Sequence, residues 1–407
     1  MTQQIKGWSW YALGFAFVLP LSTALTSILS LGALIWALMH PAACLESWKQ
    51  ARKHPIFLAM LFLSLIVLVG IPIALAHGYN PWPMLGKHSR FAMFFLMLPF
   101  FQNPEHRRAF YIGFGLGALL TLLTSLFVSA TGIPLLHAAA RFDSATFRNH
   151  TEHNLFLGLA AFGLASWLLR SATKPALRWL GWLLVALSAA DILLLVSGRS
   201  AQGTFLLLVL LLLFTTLRAR ARSAMWLILA IAGLAAAVMF NPESALQRGV
   251  HKISSDLQSY QEGQAETSVG YRVEFWRVTW RMITREHPLL GQGTGGFSEA
   301  YRQEAEAHGS LTHPTANPHN DYLFYWAEHG VGGALAVIFL YLAMLHSVRG
   351  SPSLESLWMA ALAIAYGVGS LANSYLLDHS TCFVFFTLLA ALTASKTGAP
   401  GGAAQPA

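Results

Sequence analysis

Residues 55–76 read PIFLAMLFLSLIVLVGIPIALA, a long run without one charged side chain. An α-helix rises 1.5 Å per residue, so about 20 apolar residues are enough to cross the hydrocarbon core of a membrane. Similar runs recur along the chain, separated by clusters of Pro, Gly or Arg. About twelve runs are recognised, at residues 8–20, 22–39, 55–76, 90–101, 108–130, 152–170, 177–196, 202–217, 224–240, 333–349, 355–376 and 381–395.

The composition agrees with this pattern. Of 407 residues, 55% are apolar and only 11% are charged, whereas a soluble domain has about 25% charged residues. The runs are continuous rather than alternating, which argues against the strands of a membrane barrel. The sequence therefore predicts an all-α, polytopic integral membrane protein with about 12 transmembrane helices. The first and fourth runs are short, so these helices are expected to be tilted, broken or differently bounded.

Basic residues concentrate between alternate spans, which predicts the orientation of the chain. The side that collects them carries Lys6, Lys49, Arg52, Lys53, Arg107, Arg108, Arg170, Lys174, Arg178, Arg218, Arg220, Arg222, Arg349 and Lys396. This places both termini in the cytoplasm, with residues 1–240 and 333–407 in the membrane and 241–332 as one large extracytoplasmic loop containing short amphipathic helices. The first apolar run lacks a cleavage site, so no signal peptide is predicted. The net charge of +8 then needs no nucleic-acid partner.

The predicted loop 241–332 is the place where chemistry is expected. It carries most of the acidic residues, and with this topology most of the 16 histidines lie on the same outer side. That side has no ATP or nucleotide sugars, so the energy for a transfer reaction must arrive in the substrate. Cys44 and Cys382 fall on opposite sides of the membrane, which argues against a disulfide.

Within the loop, residues 314–333 read PTANPHNDYLFYWAEHGVGG. Asn317 is a good helix cap, and a proline next to it suits the first helical position. His319 would then lie in the first turn, where the helix dipole lowers the pKa of an imidazole and favours its proton-accepting form. Gly330 permits a left-handed stop before the next span.

Aromatic side chains follow the histidine at helical spacing. Tyr322, Leu323 and Trp326 would share the face that His319 begins. An alternative interpretation is a short interfacial helix whose aromatic residues belong to the membrane belt and whose histidine is only a polar tip.

His319-Asn320, followed after nine residues by Gly330 and after two more by Gly333, resembles the signature of the O-antigen ligase family of bacterial membrane proteins. Three further stretches resemble other segments of that family's sequences. They are the run from Tyr271-Arg272 to Trp276, the run 287–297 (HPLLGQGTGGF) and the turn 197–200 (SGRS). The resemblance implies transfer of a glycan from undecaprenyl diphosphate to an acceptor at the periplasmic face of the inner membrane. For the ligases the acceptor is the core sugar of lipid A.

The resemblance assigns roles to three residues. His319 is the candidate general base, and Arg199 and Arg272 are the candidates for holding the diphosphate, since a guanidinium can bind two phosphate oxygens. A general base with cationic stabilisation predicts an inverting, metal-independent displacement. No metal-ligand spacing is recognised in the outer loops, and no cofactor is expected.

Both arginines have alternative interpretations. Arg199 could extend toward the interface, although a buried arginine costs about 2.5 to 3.5 kcal/mol and an arginine in a tight outer loop opposes the charge bias. Arg272 opens a predicted amphipathic helix at 270–286, whose ridge of Arg277, Arg281 and Arg285 is interpreted as a solvated or headgroup-facing surface.

Several other residues are secondary candidates. Asn320, Tyr322 and Trp326 accompany His319. His153-Asn154 echoes the histidine motif at a different spacing from its glycine, and Asp191 lies deep in a span as a partner either for an outer cation or for a group inside the bundle. The GxGxxG pattern at 291–296 follows no strand, so it is interpreted as a flexible turn rather than a dinucleotide site.

Other functions remain open at this point. An O-antigen polymerase or a protein O-oligosaccharyltransferase of the same superfamily would share the loop motif, although the protein-modifying enzymes resemble longer chains with an added domain. A transporter would bind its substrate at mid-membrane, often between internal repeats, and no convincing repeat is seen.

Overall fold

The computed structural model describes residues 2–136, 144–219, 233, 240–241, 244–285, 287–351 and 353–397, and every regular element in these ranges is helical. The first ten helices are α1 (Thr2–Val18), α2 (Thr23–Met39), α3 (Pro41–Ala51), α4 (Pro55–Ala76), α5 (Trp82–His88), α6 (Ala92–Phe100), α7 (Pro104–Thr131), α8 (His150–Arg170), α9 (Pro175–Ala190) and α10 (Arg199–Ala219). The next six are α11 (Ala245–Gln261), α12 (Ser268–Arg285), α13 (Phe297–His308), α14 (Asp321–Ser347), α15 (Leu354–Gly369) and α16 (His379–Thr397). A short 3₁₀ turn joins α5 to α6, and a π-helical turn, Asp191–Leu195, extends α9.

Within the described ranges, six helices are long and apolar enough to cross a membrane, and a bent pair makes seven. The six are α4, α7, α9 with its π-helical turn, α10, α14 and α16. The protein is therefore a polytopic helical membrane protein. The count of about twelve is not confirmed, because α1 and α15 have only 17 and 16 residues. The predicted span 224–240, with Arg220 and Arg222, lies almost wholly outside the described residues.

Two of the apolar runs are broken for identifiable reasons. Helices α2 and α3 meet at an angle of 93°, at His40, whose φ of −130° and ψ of 52° are not helical. Pro41 follows, and a proline disfavours helical geometry in the residue before it. The fourth run, predicted at 90–101, belongs to a longer helical stretch that begins at Trp82 and tightens at Ser89–Phe91.

Helix α16 lies at the centre of the bundle. Every residue from Ser380 to Ala394 is buried, and the helix packs against α6 and α15. Its sequence has small and apolar side chains on all faces, which suits a helix covered on every side.

On the side of the bundle where α14 begins, α12 packs against α11, α13 and α14. The predicted amphipathic helix at 270–286 is confirmed as Ser268–Arg285. The prediction of a solvated arginine ridge is wrong for Arg281, whose Nε lies 3.0 Å from Glu304 Oε1 of α13. Arg281 also donates to the carbonyl of Gly309 at 2.8 Å, so it fastens the end of α13 to α12.

Helix α14 contains a break at the glycine that the sequence marks as a stop. Gly330 has φ +62° and ψ −164°, and His329 before it is also non-helical. This backbone region is essentially restricted to glycine. The carbonyl of Leu289 fills the place that a Cβ would occupy at Gly330, so the segment before α13 enters the break. A break at Gly330 is confirmed, but a left-handed helical stop is not, because ψ of −164° lies outside the left-handed helical region and the helix resumes after the break.

Gly330→Ala should therefore destabilise the protein strongly. The unfavourable backbone conformation alone costs about 1–3 kcal/mol, and the added methyl group collides with the Leu289 carbonyl. Thermal unfolding in detergent measures the effect. Gly115→Ala is the matched control, because Gly115 lies exposed in α7 with open space around it and alanine in a helix is favoured by about 0.5–1 kcal/mol. Equal melting temperatures for the two variants would contradict this account of the break.

Candidate functional site

His319 lies in a short, firmly held loop before α14. Its φ is +52°, which is uncommon for a residue with a side chain. The Asn317 side-chain oxygen stabilises this turn by accepting from the His319 amide at 2.9 Å and from Ser374 Oγ at 2.7 Å. Trp276 Nε1 of α12 donates to the Pro318 carbonyl at 3.0 Å. The imidazole is thus attached to a backbone fixed from two directions.

The predicted start of the helix is wrong by three residues. Asn320, not Asn317, is the N-cap: its side-chain oxygen accepts from the Leu323 amide at 3.0 Å, and its Nδ2 donates to the Leu371 carbonyl at 2.9 Å. Asn317 cannot cap, because its oxygen is used by the turn at His319. His319 consequently lies outside the first helical turn, and its ring stacks on Phe275 of α12 with centroids 6.1 Å apart.

The predicted shared face is also wrong where His319 is concerned, because His319 is not helical. Tyr322 and Trp326 do lie in α14, but each contacts a different neighbour. Tyr322 Oη donates to the Gly367 carbonyl of α15 at 2.6 Å, and Trp326 Nε1 donates to the Pro288 carbonyl at 3.0 Å. These contacts attach the start of α14 to its surroundings on two sides.

The imidazole of His319 faces a cationic neighbour. Burial lowers the pKa of His319, and the charge of Arg272 lowers it further. An imidazole in this position is held in its neutral form, which can accept a proton. The helix dipole proposed from the sequence is not the cause, since His319 lies outside the helix.

Arg272 has no carboxylate partner among the residues that the structure describes. It donates to Ser268 Oγ at 3.1 Å, and its Nε is buried without a hydrogen-bond acceptor. Burial lowers the pKa of Arg272, and the like charge of Arg199 lowers it further, whereas Tyr375 has the opposite effect. A half-buried guanidinium with a free donor has the chemistry to bind an anion.

Arg199 follows a tight turn between α9 and α10. Gly198 in this turn has φ +141°, and a Cβ there would lie 2.8 Å from Asn154 Nδ2. Asn154 Nδ2 donates to the Ser197 carbonyl at 3.1 Å, and Gln202 Nε2 donates to the Val196 carbonyl at 3.1 Å. The Arg199 side chain reaches α11, where it is 3.2 Å from the buried carboxylate of Asp256.

Arg272 thus influences His319 and is itself influenced by Arg199, although the three residues come from separate segments. Sequence reasoning missed Asp256 and Tyr375, which complete the surroundings of the two arginines. No local pattern marks either residue, because each is defined by a contact with a distant part of the chain. Asn154 was noted only beside His153, and its actual contact is with the Arg199 turn.

His153 and Asp191 form a separate buried pair. His153 Nε2 lies 2.8 Å from Asp191 Oδ2, and Ser125 Oγ donates to the other carboxylate oxygen at 2.6 Å. Ser125 also contacts Ser144 at 2.8 Å. Of the two interpretations of Asp191, a partner inside the bundle is the one observed. His153 is committed to this pair and therefore does not share the environment of His319.

The glycine-rich segment 291–296 is not a flexible turn, and that prediction is wrong. Residues 291–294 are buried. The amides of Gln292 and Gly293 donate to the carbonyls of Ala327 and Glu328 at 2.9 and 2.7 Å, and the Thr294 amide donates to the Gly70 carbonyl at 3.0 Å. Because these amides are already used inside the protein, the segment cannot cradle a dinucleotide phosphate.

One group of side chains has the donor set of a metal site. His88, Glu328 and His329 are buried, and their ligand atoms lie within 4.8 Å of one another. The absence of a metal site was predicted from spacing along the outer loops. That spacing does not reveal this group, because His88 lies far from Glu328 and His329 in the sequence. Glu328 and His329 lie immediately before the break at Gly330.

The sequence model of the O-antigen ligase family matches residues 182–338. This segment, 157 of the 407 residues, is similar to the O-antigen ligase family. The matched segment includes Arg199, Arg272 and His319, and it extends across the break in α14.

The chain is also similar to a protein of Haemophilus influenzae that carries the description "uncharacterized protein". The two are 25% identical over 164 residues, which cover 38% of this chain and 41% of the relative. The match thus spans less than half the length of that relative, and its description assigns no activity.

Proposed function

We propose that this protein transfers O-antigen polysaccharide from an undecaprenyl diphosphate carrier to the core oligosaccharide of lipid A. The observation that carries the proposal is the His319 imidazole, whose pKa is lowered by burial and by the charge of Arg272, an arginine that is partly buried without a carboxylate partner among the described residues and is itself influenced by Arg199. The family match supports glycan transfer in general. The donor and the acceptor are part of the proposal.

The proposed reaction is a direct displacement. The acceptor hydroxyl attacks the anomeric carbon, the bond from that carbon to the diphosphate oxygen breaks, and its electron pair leaves with the diphosphate. His319 takes the hydroxyl proton, and the configuration at the anomeric carbon inverts. A base contributes roughly 10²- to 10⁴-fold to such a rate, and the step needs no metal because the arginines stabilise the leaving charge.

The two arginines have different environments, which suggests different tasks. Arg199 is oriented by Asp256, so a carboxylate fixes its direction before the donor arrives. The Nε of Arg272 is buried without a hydrogen-bond acceptor among the described residues, and the charge of Arg272 lowers the pKa of His319. We assign Arg272 to the phosphate next to the reacting carbon and Arg199 to the diphosphate as a whole.

Mass analysis of the acceptor tests this function. Cells that contain the protein should carry lipid A-core extended by O-antigen, and cells without it should carry unextended core. A strain that expresses His319→Ala should match the strain without the protein. Unchanged core with altered glycan length on the lipid carrier would favour the polymerase alternative, and glycan attached to protein would favour the protein O-oligosaccharyltransferase. If none of these products is found and a solute moves across the membrane instead, the result would favour a transporter.

The proposed reaction also requires the site to face the periplasm. We propose about twelve crossings of the inner membrane, with residues 1–240 and 333–407 as the membrane parts and 241–332 as the periplasmic loop. The periplasmic loop then contains Arg272 and His319, and Arg199 lies at the periplasmic end of a span.

Cysteine labelling measures this topology. Cysteines introduced singly at Gln258 and Ser351, which are both exposed, should react with a membrane-impermeant reagent from the outside and from the inside, respectively. The native Cys44 and Cys382 are buried, so the background should be low. The reverse labelling pattern would place the site on the cytoplasmic side and overturn the proposed substrates.

A further inference from the structure

Three buried titratable side chains face one another where the break in α14 meets the end of α5. His88 is the last residue of α5, and Glu328 and His329 precede Gly330. His88 Nε2 lies 4.0 Å from Glu328 Oε2, and His329 Nε2 lies 3.7 Å from the same oxygen. The three ligand atoms all lie within 4.8 Å of one another.

None of these three atoms has a hydrogen-bond partner within the described part of the chain. The side chains of His88, Glu328 and His329 are essentially inaccessible to solvent, with exposures of 1%, 0% and 1%. A buried polar atom without a partner destabilises a protein by about 1–3 kcal/mol. Three such atoms that converge on one point indicate a common partner.

We propose that His88, Glu328 and His329 bind a Zn²⁺ ion within the scaffold of the protein. Two imidazole nitrogens and one carboxylate oxygen are a frequent zinc donor set, and bonds of about 2.0–2.2 Å in tetrahedral geometry place ligand atoms roughly 3.4 Å apart. The two imidazole nitrogens lie 4.0 and 3.7 Å from Glu328 Oε2, and all three atoms lie within 4.8 Å of one another, so the side chains would have to move closer together to bind the ion. A water molecule completes the coordination.

The atoms behind the ligands support the same assignment. Glu328 Oε1 accepts from the amides of Gly295 and Phe297 at 3.0 and 3.4 Å, which leaves Oε2 for the ion. His88 Nδ1 lies 3.3 Å from Tyr325 Oη, which leaves Nε2 for the ion. Metal ligands are usually oriented by such outer hydrogen bonds.

The ion would join α5, the break in α14 and, through Glu328, the start of α13. It would therefore hold the segment 287–297 in the break. The proposal concerns this scaffold and does not depend on the transfer reaction, whose candidate groups are Arg199, Arg272 and His319.

Metal analysis of the full-length protein in detergent tests the proposal. The protein is stripped with a chelator, incubated with Zn²⁺ or Co²⁺ and desalted. We expect about one ion to remain per chain, because coordination by three protein side chains in a buried site resists washing. The Co²⁺ form should show the visible absorption of a four-coordinate ion, and Zn²⁺ should raise the melting temperature of the stripped protein by several degrees.

Glu328→Gln and His329→Gln should lose the ion, the cobalt spectrum and the thermal shift. Glutamine at 328 retains an oxygen for the amides of Gly295 and Phe297, so loss of metal is separable from loss of the fold. His77→Gln is the control, because His77 is an exposed histidine stacked on His287 at 4.7 Å, a surface pair that can collect metal adventitiously. Native protein that retains no ion, a Glu328→Gln variant that retains as much as native, or loss of the ion in His77→Gln would each overturn the proposal.

Discussion

His319→Ala should lose glycan transfer while it still binds the diphosphate-linked donor. Removal of a general base lowers a rate by roughly 10²- to 10⁴-fold, and the arginines that would hold the phosphates remain. Single-turnover transfer with purified donor and acceptor measures the rate, and donor binding is measured separately. His313→Ala is the matched control, since His313 is exposed in the same loop and should leave transfer unchanged.

The pH dependence of the native enzyme adds a second readout to this prediction. The pKa of His319 is lowered by burial and by Arg272, so the imidazole stays neutral to a more acidic pH than an ordinary histidine. The kcat/KM should be constant at neutral pH and fall only as the pH drops through this lowered pKa, because imidazolium cannot accept a proton. If His319→Ala fails only because donor no longer binds, or keeps the native rate, the histidine is not the base.

Arg272→Ala should abolish transfer without destabilising the protein. Loss of one donor to a developing negative charge lowers kcat by about 10²- to 10³-fold. Because Arg272 is partly buried and has no carboxylate partner among the described residues, its removal leaves no unpaired anion, and the melting temperature should be unchanged or higher. Lysine should restore only part of the activity, since a point charge cannot form two parallel hydrogen bonds.

Two comparisons make this prediction specific to the site. Arg285→Ala, at the exposed end of the same helix and 3.9 Å from Glu304, should transfer glycan at the native rate. Arg199→Ala should lose activity and also stability, because it leaves the buried Asp256 carboxylate without its partner. Full activity in Arg272→Ala would remove that arginine from the mechanism, and a large loss of stability would make its role structural.

The local features of the fold were predictable because they depend on short-range rules. The amphipathic pattern placed α12 within two residues of its observed bounds, and the glycine at 330 predicted the break in α14. The start of α14 was misplaced because Asn317 and Asn320 are both competent caps. The hydrogen bond from Ser374 to the Asn317 side chain, 57 residues apart, shows that Asn317 stabilises the preceding turn, which leaves Asn320 as the cap.

The candidate site was predictable as a set of residues but not as an arrangement. The family signature pointed to Arg199, Arg272 and His319, whereas the carboxylate beside Arg199 lies 57 residues away in the chain. The same limit applies to Asp191, whose partner His153 is 38 residues earlier. The burial of residues 291–294 was missed because a glycine-rich sequence permits both a loose turn and close packing.

The free donors of Arg272 have a consequence for turnover. In the proposed reaction, the donor carries its diphosphate as a diester, and the departing lipid diphosphate exposes an additional anionic oxygen. A guanidinium without a competing carboxylate among the described residues would therefore attract the spent carrier more strongly than the incoming one. The arginines that accelerate bond breaking would thus slow the release of the carrier. Release of the lipid diphosphate would then limit the rate of each cycle.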